Sequence, residues 1–392
     1  MRAAALLLLA CLACLGVGRR AHTPRHQARG HVPEEWQSSQ QLTQPFALRA
    51  LELLMLALYP RAAWQAVGAE HRLSRSSVNF AKSRSLAAPV MGANEQVKEQ
   101  LEAQGIKDVK IESGSKITAD GKPYFWKIGT GGSSADISLL EYEAQGLQRM
   151  ADASEGKLFV PKPLHVGSVN TWGGSSGYIV MDMLRKAGGT SQTQRQLGLG
   201  LAAMHSAPVA DDWEEDLFGF PLDGCCGAFS QPNNAGRKKM NWIEFWIEYR
   251  LKHQLKNIRD AEALELGDKI ADNMDKLFPF DIDEIKPSLL HGDLWSGNHG
   301  VDGNTGLPCL YDPAAYYGHD EADFGIAHMF GGLSPAFYDA YFSVRPKKEG
   351  FEKRKLLYEL HHHLNHYNIF GGGYLSGAKS LMRQLVTEMK RF

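Results

Sequence analysis

The hydrophobic period of the chain changes part-way along, and that change limits the possible fold more than any other feature. The stretch "DVKIESGSKITADGKPYFWKIG" alternates apolar and polar residues on both sides of Asp120-Gly121, a dipeptide that closes two-residue hairpins. A helical pattern, "EQVKEQLEAQG", precedes it, and another, "ISLLEYEAQGLQRMAD", follows. "VPKPLHVG" and "SGYIVMDML" then read as further strands around the Gly-rich turn "WGGSSG". From about Gly189 the period becomes helical, in "SQTQRQLGLGLAAMHSA" and in "MNWIEFWIEYRLKHQLKNIRD", whose aromatics form one stripe. A short strand, "LPCLYD", interrupts the helices once.

These patterns predict an α+β chain with a small strand-rich N-lobe, residues 92–182, and a larger helical C-lobe, residues 183–392, joined near Met181–Lys186. That is the bilobal layout of protein-kinase-like folds, in which nucleotide sits in the cleft between lobes. At 392 residues the chain has room for two lobes and a leader. Its formal net charge of -1 provides no surplus of basic surface, so no nucleic-acid partner is expected.

The charge is unevenly placed. Residues 1–93 hold eleven Lys or Arg against four Asp or Glu, a net of +7, which leaves -8 for the rest. "MRAAALLLLACLACLGVG" has the form of a secretory signal, and "HRLSRSSVNFAKSRSLAAPVMG" is rich in Ser and Arg as transit peptides are. "ALRALELLMLALYPRAAWQAVGA" lies between them and is broken by Arg49, Glu52 and Arg61, so it reads as an amphipathic helix rather than an anchor. Residues 1–91 are therefore read as a two-part leader of the kind used by algae with secondary plastids. The expected destination is the plastid, with the secretory pathway or cytoplasm as alternatives and no stable membrane association once the leader is removed. Beyond the leader only Cys225, Cys226 and Cys309 remain, which fits neither a disulfide framework nor zinc-finger spacing.

The segment "LLHGDLWSGN" places His291, Asp293 and Asn298 at the spacing of the kinase catalytic loop, H-x-D followed by four residues and N. Asp293 is the candidate base for an attacking hydroxyl. Asn298 is a candidate Mg²⁺ ligand, since Mg²⁺ prefers oxygen donors. The competing reading of this segment alone is an ordinary polar turn. Two aspartates compete for the second metal position. A literal "DFG" stands at Asp323-Phe324-Gly325, but it lies in the helical pattern "EADFGIAHMFGG". Asp312 ends the apolar run "LPCLY" and is followed by Pro313, so Asp312 is preferred and Asp323 is read as a loop brace. Lys127, on a predicted strand, is the candidate phosphate lysine. Glu143 on the next helix is its expected partner, and Glu141 falls on a different face. The turn Ser113, Gly114 and Ser115 can cover phosphates with backbone N–H groups.

"FGFPLDGCCGAFSQPN", "LLHGDLWSGN", "YDPAAYYGHDEADFGIAHMFGG" and "LNHYNIFG" together resemble the fructosamine-3-kinase (ketosamine-3-kinase) family, relatives of the aminoglycoside and choline kinases. The resemblance runs from about Asn94 to the C-terminus. It implies an ATP-dependent ketosamine 3-kinase that phosphorylates the 3-hydroxyl of fructosamine or ribulosamine adducts on amines or proteins, a deglycation repair. In that reading ATP is held by Lys127, Glu143, the turn at 113–115 and the hinge Asp182, Met183 and Leu184, and Mg²⁺ by Asn298 and Asp312. Asp293 is the base. Trp295, whose indole face can stack on a sugar, is a candidate substrate residue, as are His291, Tyr316 and His319; for His319 hydrogen bonding within its loop is the preferred role. Many eukaryotic members carry a cysteine in the phosphate loop where this chain has Lys110. A disulfide-linked, redox-switched dimer through that position is therefore not expected, and the chain reads as a monomer or weak dimer.

Two other readings stay open at this point: a kinase for another hydroxyl acceptor, aminoglycoside- or choline-kinase-like, and an inactive kinase fold used as a binding module. Three further signals are read as structural. His362 and His366, at i, i+4 in "LHHHLNHYN", could chelate a metal, but no carboxylate partner for the pair is evident. Cys225-Cys226 is read as core packing, and His205 as a core histidine.

Overall fold

A computed structural model describes residues 92–391 apart from 113–114, 130–133 and 172–173. The leader read at residues 1–91 lies outside the described residues, as do Ser113 and Gly114.

The strand-rich part opens with helix α1 (Ala93–Ala103), followed by strands β1 (Lys110–Ile111), β2 (Lys116–Ala119) and β3 (Lys122–Ile128). Asp120 and Gly121 both take positive φ, 47° and 74°, the backbone a two-residue hairpin of primed type requires. Helix α2 (Ser134–Ala153) then leads to β4 (Pro163–Thr171) and β5 (Gly174–Asp182). The five strands form one antiparallel sheet in the order β1-β2-β3-β5-β4. Lys127, on the central strand β3, pairs with Ile179 of β5.

Two cores hold the sheet. On one side, Val97 and Leu101 of α1 pack with Val109, Ile117, Trp126, Val169, Tyr178 and Val180. Polar pins fix the register of α1: Gln96 Nε2 donates to Asn170 O and Gln100 Nε2 to Ser168 O. Leu140, Leu147 and Met150 of α2, with Ile179 and Met181 of β5, belong instead to the large core shared with the helical part.

After β6 (Lys186–Ala187) the helices take over. Helix α3 (Ser191–Ser206) starts at a capping box of Thr190 and Thr193. The hairpin of β7 (Gly224–Cys226) and β8 (Phe229–Gln231) follows. Helix α4 (Trp242–Trp246) has its own capping box, Asn241 with Glu244, and continues through a π-helical turn, Ile247–Lys252, into His253–Leu255. Its predicted aromatic stripe, Trp242, Phe245 and Trp246, is buried. Helix α5 (Ala261–Asp272), strands β9 (Ser288–Leu290), β10 (His299–Asp302), β11 (Pro308–Leu310) and β12 (Tyr316–Gly318), and helices α6 (Phe324–Phe330), α7 (Pro335–Val344), α8 (Phe351–Phe370) and α9 (Tyr374–Met389) complete the order. The architecture is α+β and bilobal, with a strand-rich N-terminal part and a helical C-terminal part.

A buried ion pair ties α8 to the helical core. Arg354, with no solvent exposure, donates to both oxygens of Glu321, at 2.7 and 2.8 Å, and also to Leu277 O. Breaking such a pair from one side leaves an uncompensated buried charge. Glu321→Ala is expected to cost about 3–5 kcal/mol of stability in urea unfolding; a loss below about 1 kcal/mol would show that Arg354 finds other compensation.

Candidate active site

The catalytic loop runs from β9 to β10 and is shaped by a buried carboxylate. Asp323 accepts hydrogen bonds from His291 N at 2.8 Å and Gly292 N at 2.7 Å, and His205 Nε2 lies 3.1 Å away. Burial pushes the Asp323 carboxyl up, but the hydrogen bond and charge of His205 and the bond from Gly292 N outweigh it and hold the carboxyl below its ordinary range. His205 is fixed in turn by Tyr341, whose hydroxyl is 2.7 Å from Nδ1. Gly292 must be glycine. Its φ is 79°, and a Cβ there would lie 2.0 Å from Ala314 O.

His291 is fully buried. Burial holds its imidazole below the ordinary range, so it is neutral. Nε2–H donates to Tyr311 O at 3.0 Å, which leaves Nδ1 to accept from Asp293 N at 3.2 Å. His291 therefore orients the base from behind, and its burial removes it from the substrate-facing set. Asp293 is half-buried at the loop tip. Burial pushes its carboxyl up to about 7, helped by the charges of Asp312 and Asp323, against hydrogen bonds from Asn298 and Trp295 that lower it. A carboxylate poised there is well matched to take a proton near neutral pH.

Asn298 Nδ2 donates to Asp293 Oδ2 at 2.8 Å and to Asp293 O at 2.9 Å. Both amide protons face the loop, which leaves the amide oxygen as the atom available to a metal ion. The chain then passes through the β10–β11 hairpin to Asp312, whose backbone is left-handed with φ 51°. Its side chain is 65% exposed and lies 3.8 Å from Lys127 Nζ. Asp312 thus faces the lysine, while Asp323 of the literal "DFG" is buried beneath the loop. An oxygen pair of Asn298 and Asp312, one of them an exposed carboxylate, fits a hard divalent cation such as Mg²⁺.

Lys127 reaches Glu143 Oε2 on α2 at 2.8 Å. Burial pulls the lysine down, yet Glu143 and Asp312 outweigh it and hold Lys127 above its ordinary range and charged. Glu143 shifts up as well, because burial, with the charge of Asp312, exceeds the attraction of Lys127. Its other oxygen, Oε1, is buried with no hydrogen-bond partner among the described residues. The 2.8 Å contact decides for an ion pair. Glu141 is exposed and takes no part.

The remaining predicted residues are placed as follows. Asp182 ends β5, where its Oδ2 accepts from Lys162 N at 3.1 Å, and Met183 and Leu184 lead from it to β6. That strand pairs with β10, and Asp302, which the sequence did not single out, accepts from Arg185 N at 3.2 Å. Ser115 is exposed, and its carbonyl accepts from Trp126 N at 2.9 Å. Trp295 is half-buried, its ring 5.8 Å from Phe330 and its indole N–H bonded to Asp293. Tyr316 and His319 are corrections. Tyr316 is only 4% exposed, with the Arg250 guanidinium 4.1 Å from its ring centroid. His319 is also 4% exposed, with Nδ1 2.6 Å from the Tyr358 hydroxyl. Side chains enclosed in this way are packed within the core, which favours a supporting role over a substrate contact.

The sequence also undervalued Cys225 and Cys226. The β7–β8 hairpin sets Cys225 close enough to Lys127, Glu143 and Asp293 for their charges to act on it; its thiol is pushed up to about 11, chiefly by burial. Cys226 lies beside Asp293 and His362. Its spacing in sequence carried no sign of this, because the three come from separate elements.

A central sheet lysine paired to a helix glutamate, an Asp–x₄–Asn loop and a second aspartate facing the lysine define a protein-kinase-like phosphotransferase. The sequence profile described as fructosamine kinase matches residues 83–388. The chain belongs to the fructosamine kinase family. It is 42% identical over 284 residues to the chloroplastic protein-ribulosamine 3-kinase of Arabidopsis thaliana, covering 71% of this chain and 81% of that one. It is 37% identical over 298 residues to the ketosamine-3-kinase of Mus musculus, covering 70% and 92%. A crystal structure from Thermobifida fusca, provisionally designated a fructosamine-3-kinase, superposes with a TM-score of 0.60 at 26% identity, over 76% of this chain and all of that one.

The raised carboxyl of Asp293 makes the pH profile a direct readout. An acid that must be ionised to act gives kcat/KM for the acceptor that rises with pH and levels off above about 7. A profile already flat from the ordinary carboxylate range upward would contradict the placement of Asp293 as the base.

Proposed function

We propose that the protein is an ATP-dependent ketosamine 3-kinase acting on ribulosamine or fructosamine adducts of amines and proteins. The observation that carries this reading is Asp293, held by His291 and Asn298 and bonded by the Trp295 indole, within a family whose relatives are named ketosamine and ribulosamine kinases. In the proposed reaction the adduct's O3 attacks the γ-phosphorus of ATP, the bond to ADP breaks, and the hydroxyl proton passes to Asp293. Lys127, kept charged by Glu143, faces the phosphates. Ser115 borders them, and Asp182, Met183 and Leu184 border the adenine. Asn298 and Asp312 would hold Mg²⁺, which when bound neutralises phosphate charge. Trp295 sets the sugar against the base through its ring face.

We place the lobe division after Asp182 and assign residues 1–91 as a leader directing the chain to a plastid. The excess of basic residues there supports this, as do relatives in Arabidopsis thaliana and rice that are named chloroplastic.

ADP release by the full chain, with Mg²⁺, ATP and small ribulosamine and fructosamine analogues, tests the reading. Turnover is expected on at least one analogue, with Asp293→Asn lowering kcat by about 10²–10⁴-fold. Trp295→Ala is expected to raise the apparent KM for the analogue roughly three- to tenfold, the range of a lost aromatic contact. ATP turnover confined to a different hydroxyl acceptor would overturn the substrate assignment, and an unchanged KM would remove the sugar-facing role of Trp295.

A further inference from the structure

Three atoms of different ligand chemistry meet on the far side of the catalytic base. The Cys226 thiol, an Asp293 carboxylate oxygen and a ring nitrogen of His362 all lie within 4.8 Å of one another. We propose that this trio is a site for a thiophilic divalent cation, for which Zn²⁺ is the fitting probe, and that filling it switches phosphoryl transfer off.

The three residues are brought together from separate elements. Cys226 ends β7, Asp293 sits on the loop after β9, and His362 lies within α8. The hairpin is fastened to α8 beside the cluster, since Asn365 Nδ2 donates to Cys226 O at 3.1 Å. Cys226 is a free thiol only 2% exposed and His362 is 3% exposed, and neither has a part in the chemistry above. His362 Nδ1 is buried with no hydrogen-bond partner among the described residues. A buried polar nitrogen left unpaired is costly, and a metal ion would satisfy it. Asp293, the half-buried member, gives the approach from solvent.

The donor set also fits the ion. A thiolate, a carboxylate and a neutral imidazole carry two negative charges, so Zn²⁺ bound there forms a neutral unit suited to a buried position. Tetrahedral zinc with bonds of about 2.0–2.3 Å needs ligand atoms roughly 3.5 Å apart, so the trio must draw in by about an ångström. Sulfur and nitrogen donors disfavour Mg²⁺, which keeps this position distinct from Asn298 and Asp312. On binding, the thiol proton leaves to solvent and the sulfur lone pair goes to the metal. The Asp293 oxygen then bonds the cation and no longer accepts the hydroxyl proton. Only this inhibitory step rests on Asp293 as the base; the binding does not.

The test uses the full chain with Cys11→Ser and Cys14→Ser, which removes the other closely spaced thiols, and reads binding separately from turnover. Titration with Co²⁺ in the absence of ATP is expected to give one site with a thiolate-to-cobalt charge-transfer band that Zn²⁺ abolishes. Cys226→Ser should remove the band, and His362→Asn should weaken affinity about tenfold or more. In turnover, buffered Zn²⁺ should inhibit competitively against the acceptor and not against ATP. His362→Asn should keep its basal rate and resist inhibition by a similar factor. Thermal melts establish folding, and His362→Asn carries the test if Cys226→Ser does not fold. Absence of the band in the folded parent, a band that survives Cys226→Ser, or unaltered affinity in His362→Asn would each overturn the site. Zinc bound without loss of turnover would overturn the switch.

Discussion

The site depends on an anion buried beneath it. Asp323 has a fully enclosed side chain, and a carboxylate in that position persists only if donors surround it. Two of those donors are the backbone N–H groups of His291 and Gly292, so satisfying the charge and bending the catalytic loop are one event. Gly292 permits the bend, His205 completes the shell, and Tyr341 fixes His205. The loop then has little freedom in where it presents Asp293.

A second constraint links the sheet to the loop. Lys127 contacts Glu143 on α2 and Asp312 after the β10–β11 hairpin, so one cation touches acids from two elements far apart in sequence. The hairpin that leads to Asp312 also pairs with β6, the strand after Leu184. Positions that would hold nucleotide and metal are thereby set by the same few contacts. In electrostatic terms the site keeps one charged lysine opposite a set of carboxylates. One of these, Asp293, is raised far enough by burial and by its neighbours to exchange a proton near neutrality.

Much of this was legible in the sequence, for identifiable reasons. Hairpin and helix periods are local, so the strand-rich and helical parts and the Asp120-Gly121 turn follow from short windows. The choice between Asp312 and Asp323 also rested on local pattern, since a strand end before proline and a helical stretch favour different geometries. What failed was side-chain direction. Tyr316 and His319 follow Asp312 closely, but the strand β12 and the turn after it direct them into the aromatic core, against Arg250 and Tyr358. His291 faces inward for a similar reason. The meeting of Cys226 with Asp293 and His362 was invisible because residues from a hairpin, a loop and a helix share no spacing. The carboxylate that meets His362, Asp293, lies in a loop distant in the chain.

The central claim is that Asp293 is aimed at one hydroxyl of a sugar adduct. The most direct check is the position of the phosphate on the product of a glycated lysine analogue, read by phosphorus–proton correlation NMR. Phosphorus coupled to the proton on carbon 3 of the sugar is the predicted result. Phosphate on any other hydroxyl, or no phosphorylated adduct from a folded, nucleotide-binding sample, would contradict the account.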